Sequence, residues 1–167
     1  MTILDLPPIL QTRRNHALEH ATLHILAQKF PGRPLAGHSN PTGFFILGSV
    51  PAEDIRAAAV QALTRLRAGE RQLAIHAGCG TNYVVSGLLA GSLAWVGLSG
   101  ARTWRARLLR LPFVLVLSTF AFLISQPLGP ILQARVTTEA EPGGMDVVEI
   151  TPLRLLGLSI HRVVTKG

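Results

Sequence analysis

The residues with most chemistry to offer lie in one run, Arg14-Asn15-His16-Ala17-Leu18-Glu19-His20-Ala21-Thr22-Leu23-His24. Ala, Leu and Glu dominate, and neither Gly nor Pro interrupts the stretch before Pro31, so it reads as a helix from about Gln11 to Phe30. At 3.6 residues per turn, His16 and His20 stack one turn apart on one face with Glu19 beside them. This is H-x-x-E-H, the inverted form of the H-E-x-x-H pattern. Two imidazoles hold a metal there, and the carboxylate can take a proton from water. A second cluster, His76-Ala77-Gly78-Cys79-Gly80-Thr81-Asn82, sets the single cysteine of the chain three residues after a histidine.

Two donors one turn apart on a helix, with two more across a tight turn, make a common zinc arrangement. His16, His20, His76 and Cys79 are the candidate ligands, and a thiolate with imidazoles favours zinc over magnesium or calcium, which prefer oxygen. If three of them bind and one position stays open, Glu19 is the general base in hydrolysis of a peptide or amide bond. If all four bind, the metal is a structural staple and Glu19 supports an imidazole. The non-catalytic alternative is a membrane scaffold or assembly factor, with a structural zinc site or with no metal. His24, one further turn along, could extend the metal face but reads as an ordinary core or surface histidine; His38 receives no role.

The elements that must position these residues follow in order. Leu6-Pro7-Pro8-Ile9-Leu10 is a stiff apolar lead-in that either rests on the membrane surface or packs on the domain, with packing the expectation. After the histidine helix, Pro31 to Pro41 is rich in turn residues. Thr42 to Leu47 reads as a strand. Ser49 to Asp54 opens a second helix with proline and two acids in its first turn, and Gly69 stops it. Arg71 to His76 reads as a second strand leading into the Cys79 turn. From Gln72 to Ala101 there is no Asp, Glu, Lys or Arg. Tyr83 to Ala101 and Leu111 to about Leu132 are each near the roughly 20 residues needed to cross a bilayer. Between them, Arg102, Arg105, Arg107 and Arg110 surround Trp104 in a loop that looks like an interfacial belt. Gly87, Gly91 and Gly97 would let a neighbouring helix approach closely, and Gly87 and Gly91 form a G-x-x-x-G match. Ala134 to Thr138 and Asp146 to Ile150 read as strands joined through Glu141-Pro142-Gly143-Gly144. For Leu153 to Val164 periodicity leaves strand and interfacial helix both open.

The expected architecture is therefore α+β: a small metal-binding unit (1–82), a two-helix transmembrane hairpin (83–133), and C-terminal strands that return to the unit (134–167). The 167 residues carry a net charge of +7 with only 15% charged residues, and the mean hydropathy is +0.36. That is too apolar for an ordinary soluble domain. Aromatics are 5% of the chain and mostly sit in apolar runs, so no stacking platform for nucleic acid is interleaved with the arginines. The expected counter-charge is anionic lipid headgroup, at about 1 kcal/mol per basic residue near the surface. One cysteine excludes an intrachain disulfide. Residues 1–11 do not read as a cleavable signal peptide. The arginine loop argues for placing itself inside. The missing export signal, the basic flank Arg65, Arg67 and Arg71, and the need for a reduced thiol argue instead for a cytoplasmic metal unit, which is the expectation here.

H-x-x-E-H at 16–20, followed by H-x-x-C-G-T-N at 76–82 and an apolar span, resembles a poorly characterised bacterial family carrying a domain of unknown function. It is also similar to the YqhQ-like proteins, which combine H-x-x-E-H with H-P-R-C-G-T-S and a following span. The resemblance covers Asn15 to about Thr138. It departs at Ala77-Gly78, where those proteins have Pro-Arg, and at Asn82, where they have Ser; neither removes a candidate ligand. It implies a membrane location and a metal, and supplies no substrate.

Overall fold

The computed structural model describes residues 2–155 and 157–167, so Met1 and Leu156 (the latter within the ambiguous stretch 153–164) lie outside it. The protein is α+β. Helices α1 (Pro7–Lys29) and α2 (Ala52–Arg67) accompany strands β1 (Ala36–Asn40), β2 (Gly43–Leu47), β3 (Asp146–Leu155) and β4 (Leu158–Lys166), while α3 (Gly80–Leu98) and α4 (Trp104–Leu132) are long and apolar. The strands form one antiparallel sheet in the order β1-β2-β4-β3. The chain divides into two compact units. One runs up to His76 and resumes over Gln133–Gly167; the other is Ala77–Leu132.

The first unit is built on a core of Leu18, Leu26, Phe44, Ile46, Ile55, Ala59, Ala62 and Val163, every one of them inaccessible to solvent. Alternate residues of β2 and β4 point inward, and the apolar stripes of α1 and α2 cover them. Each such Leu, Ile or Phe contributes about 1.5–3 kcal/mol by leaving water. α1 begins four residues before Gln11, at Pro7 and Pro8. Proline suits the first turn of a helix, because its fixed φ is already helical and its missing N–H has no partner to lose. The lead-in is thus part of the helix itself.

Three expectations fail in this unit. Residues Arg71–Ala74 form a 3-10 turn and not a strand. The carbonyls at its end and just beyond serve imidazoles: Ala74 accepts from His20 and Ile75 from His24, at 2.7 and 2.8 Å. Ala134 to Thr138 is not a strand either; Gln133–Thr137 is a π-helical turn. The amide and hydroxyl of Thr138 both donate to the Gln133 carbonyl at 2.9 Å. The Arg13 guanidinium donates to the carbonyls of Val136 and Thr138, at 2.8 and 3.0 Å, and so caps the wide turn. The hairpin is consequently displaced: β3 and β4 pair from Asp146↔Lys166 to Leu155↔Leu158, and the reversal lies at Gly157, whose φ of +80° favours glycine. Residues 153–155 and 158–164 of the ambiguous stretch are strand, with His161 and Val163 facing the core.

In the second unit the arginine loop is shorter than the sequence suggests. α4 starts at Trp104, which puts Arg105, Arg107 and Arg110 in its first turns. Arg110 and Arg107 donate back to the carbonyls of Ser99 and Ala101, closing the turn between the helices. α3 and α4 pack through Gly129 against Asn82, Ser86 against Ser125 (Oγ–Oγ 2.7 Å) and Gly97 against Val114. These contacts share one antiparallel register and use the face of α4 on which Val114, Ala121, Ser125 and Gly129 are buried. Gly87 and Gly91 are not part of that contact, since a Cβ at either would meet nothing. Large apolar side chains cover the outer faces: Trp95 is 75% and Leu109 is 84% exposed, and Leu88, Leu115, Val116, Phe120 and Leu123 are open beside them.

Candidate metal centre

The unbroken α1 presents His16, His20 and His24 at successive turns, as the sequence predicts. The rings of His16 and His20 stand edge to face with centroids 4.3 Å apart. Each is oriented by a backbone carbonyl. His16 Nδ1 lies 2.9 Å from the Thr137 oxygen, and His20 Nδ1 lies 2.7 Å from the Ala74 oxygen. A carbonyl can only accept, so Nδ1 carries a proton in both rings, and in the neutral form of each ring the lone pair is on Nε2. Ligating histidines in metal sites are held in the same way, by a donated N–H that fixes the tautomer. The turns at Arg71–Ala74 and Gln133–Thr137, misread as strands, supply these two carbonyls.

The second cluster begins at His76, whose amide donates to Oε1 of the fully buried Gln133 at 2.9 Å. Its ring lies 5.5 Å from that of His20 and 5.1 Å from that of His24, centroid to centroid. Burial, and then the positive charge available on His20 and His24, push its pKa down to about 4. His76 is therefore neutral at pH 7, the state a ligand requires. Cys79 is buried at the N-cap of α3, with Sγ 3.4 Å from the Thr81 hydroxyl. Ligand atoms of His16, His20 and Cys79 all lie within 4.8 Å of one another, and this group could bind a metal ion.

Glu19 is 4% exposed and turns toward β1, where the Ser39 hydroxyl donates to its Oε2 at 2.5 Å. Gly37 makes the space: a methyl there would fall within 2.7 Å of three Glu19 side-chain atoms. Asn15, wholly buried, ties the same helix turn to the sheet. Its amide donates to the Asn40 carbonyl at 2.8 Å, and its oxygen accepts from the Thr165 hydroxyl at 2.6 Å. Ser39, Gly37, Asn15 and Gln133 escaped the sequence reading. A buried polar residue next to a ligand leaves no local signal, and β1 itself, Ala-Gly-His-Ser-Asn, has the composition of a turn. His24, read as an ordinary histidine, packs its ring on His76.

The donor set of two Nε2 lone pairs and one thiol suits a borderline-soft ion and does not suit magnesium or calcium. Among known proteins, residues 11–150 match the family described as "Domain of unknown function (DUF6391)". An uncharacterised protein of Picosynechococcus sp. (strain ATCC 27264 / PCC 7002 / PR-6) is 35% identical over 142 residues, covering 78% of this chain and 67% of its own length. No solved structure matches.

Proposed function

Since the chain belongs to the DUF6391 family, whose description carries no activity, we propose its function from the site itself: a membrane-embedded, zinc-dependent hydrolase of peptide or amide bonds. The observation that carries this reading is the gathering of three donors, His16, His20 and Cys79; the motif carboxylate Glu19 precedes His20 on the same helix and is held by the Ser39 hydroxyl. Three protein ligands with a fourth position open is the catalytic form of a zinc site. Zinc held there supplies Lewis acidity, which makes water a nucleophile near neutral pH. Glu19 would hold the proton that the attacking water gives up and pass it to the amine nitrogen as the C–N bond breaks. Ser39 keeps the carboxylate oriented through this exchange.

The motif likeness to the YqhQ-like proteins agrees with this reading. The two apolar helices with exposed outer faces support insertion as two spans, and the basic turn with Trp104 supports contact with anionic headgroups. We place the metal unit in the cytoplasm, where a lone thiol stays reduced. Impermeant labelling of single cysteines at Thr103 and Glu141, in a Cys79→Ser background on intact cells, tests that; labelling at Glu141 but not Thr103 reverses it.

A structural staple is the second reading, and the neutral His76 ring beside His20 is what favours it, since a fourth protein ligand closes the site. One comparison separates the two. Purified protein should carry about one zinc per chain, lost in His20→Ala and in Cys79→Ser, whereas Glu19→Gln keeps the zinc and the fold but abolishes turnover. Zinc retained in both ligand variants refutes the assignment. If His76→Ala loses zinc to the same degree, and Glu19→Gln alters only affinity, the site is a staple.

A further inference from the structure

β1 and β3 are the two edge strands of the sheet, and they are built differently. Unpaired strand edges are hazards that proteins blunt with bulges, prolines and charges. β3 has all three devices: a register shift between Val147 and Glu149, Pro152 within the strand, and Asp146, Glu149 and Arg154. β1 has none. Its five residues carry no charge and no proline, and its pairing with β2 runs from Ala36↔Leu47 to Asn40↔Gly43 without a shift. Among the described residues it pairs with β2 alone; the Asn40 carbonyl already accepts from Asn15, so the backbone groups it turns away from β2 are those of its other residues. It is also the strand against which Glu19 rests, through Ser39 and the space left by Gly37.

Resting on the hydrolase reading, we infer that the substrate is an extended polypeptide segment that adds to the free edge of β1 as a fifth strand. Strand addition is recognised mainly by main-chain hydrogen bonds, and it holds each amide of the segment at a fixed offset from Ser39 and therefore from Glu19. An uncharged edge selects for extended conformation over side-chain charge. Four or five residues are the length β1 can pair. The undefended edge is thus a substrate platform, and the defended one is not.

The test uses the full chain in detergent, loaded with zinc, and two probes: acetohydroxamate, and acetyl-Ala-Leu-Ala-Ala-hydroxamate. Affinities come from calorimetry, and amide hydrogen exchange is followed across both edge strands. The peptide hydroxamate should bind at least tenfold more tightly than acetohydroxamate and slow exchange in 36–40 at least tenfold, with 146–155 unchanged. Equal affinities, or protection appearing on β3, overturn the inference while leaving the metal site intact. Failure of both probes to bind zinc-loaded protein overturns the open-site reading itself, and the inference with it.

Discussion

Replacing Gly37 with alanine perturbs the candidate site without touching a proposed ligand. The added methyl overlaps the Glu19 carboxylate, which is walled in by β1 and has 4% of its surface open. Overpacking a filled interior costs about 1–3 kcal/mol. Relief requires the carboxylate to rotate off the Ser39 hydroxyl, and a hydrogen bond to a charged group is worth about 1.5–3 kcal/mol. Because rotation trades one term against the other, the expected loss is about 3 kcal/mol, or a fall in Tm of roughly 6–12 °C. Thermal melts of the full chain in detergent, followed by circular dichroism, read this directly. The cause is isolated by a double-mutant cycle: in a Glu19→Ala background the new methyl enters vacated space, so Gly37→Ala should cost under about 1 kcal/mol, a coupling of about 2 kcal/mol. Equal losses in the two backgrounds would refute the account of Gly37 as the cradle for Glu19. Zinc content should be unchanged in Gly37→Ala, because its donors come from elsewhere.

Three further outcomes follow from particular contacts. His76 has its pKa depressed to about 4 against an ordinary 6.5, so between these values the unfolded chain binds the extra proton and the native chain does not. Stability of the zinc-free protein should therefore fall as pH is lowered from 6.5 to 4 and stay level above 6.5 on this account. The full shift corresponds to about 3 kcal/mol, reduced to about 1 kcal/mol because the ring is only half-buried; urea titrations at several pH values, flattened in His76→Gln, would show it. Asn15→Ala should cost about 2–4 kcal/mol in the same urea assay, since it strands the Asn40 carbonyl and the Thr165 hydroxyl; a loss under 1 kcal/mol would mean that neither bond matters. In the hairpin, Gly129→Val drives a side chain into Asn82 and should lower Tm by several degrees, whereas Ser125→Ala, which loses one hydrogen bond to Ser86, should shift it by only a few. The reverse order would contradict the packing register.

What the sequence determines by itself is whatever short-range chemistry fixes. Helical propensity and the prolines at Pro7 and Pro8 set α1, and 3.6-residue periodicity then puts His16, His20 and Glu19 on adjoining faces wherever the helix is placed. Run length and apolar composition, uncharged throughout α3 and beyond Arg110 in α4, set these two helices. The branched and aromatic stretch ending at Leu47 sets β2. What only the tertiary structure decides is where backbone polar groups find partners. Arg71–Ala74 and Gln133–Thr137 look extended by composition, yet they turn, because His16, His20 and Arg13 recruit carbonyls in and beside those segments. β1 looks like a turn by composition, yet it is a strand, because β2 offers it a ladder and Glu19 needs the room that Gly37 leaves. The register of β3 and β4 could not be placed in advance for the same reason: the reversal at Gly157 is chosen by pairing with β2, while Pro142-Gly143-Gly144, the stronger local turn signal, lies outside the ladder. Propensities of a few tenths of a kcal/mol per residue yield wherever a buried hydrogen bond or a sheet partner is at stake.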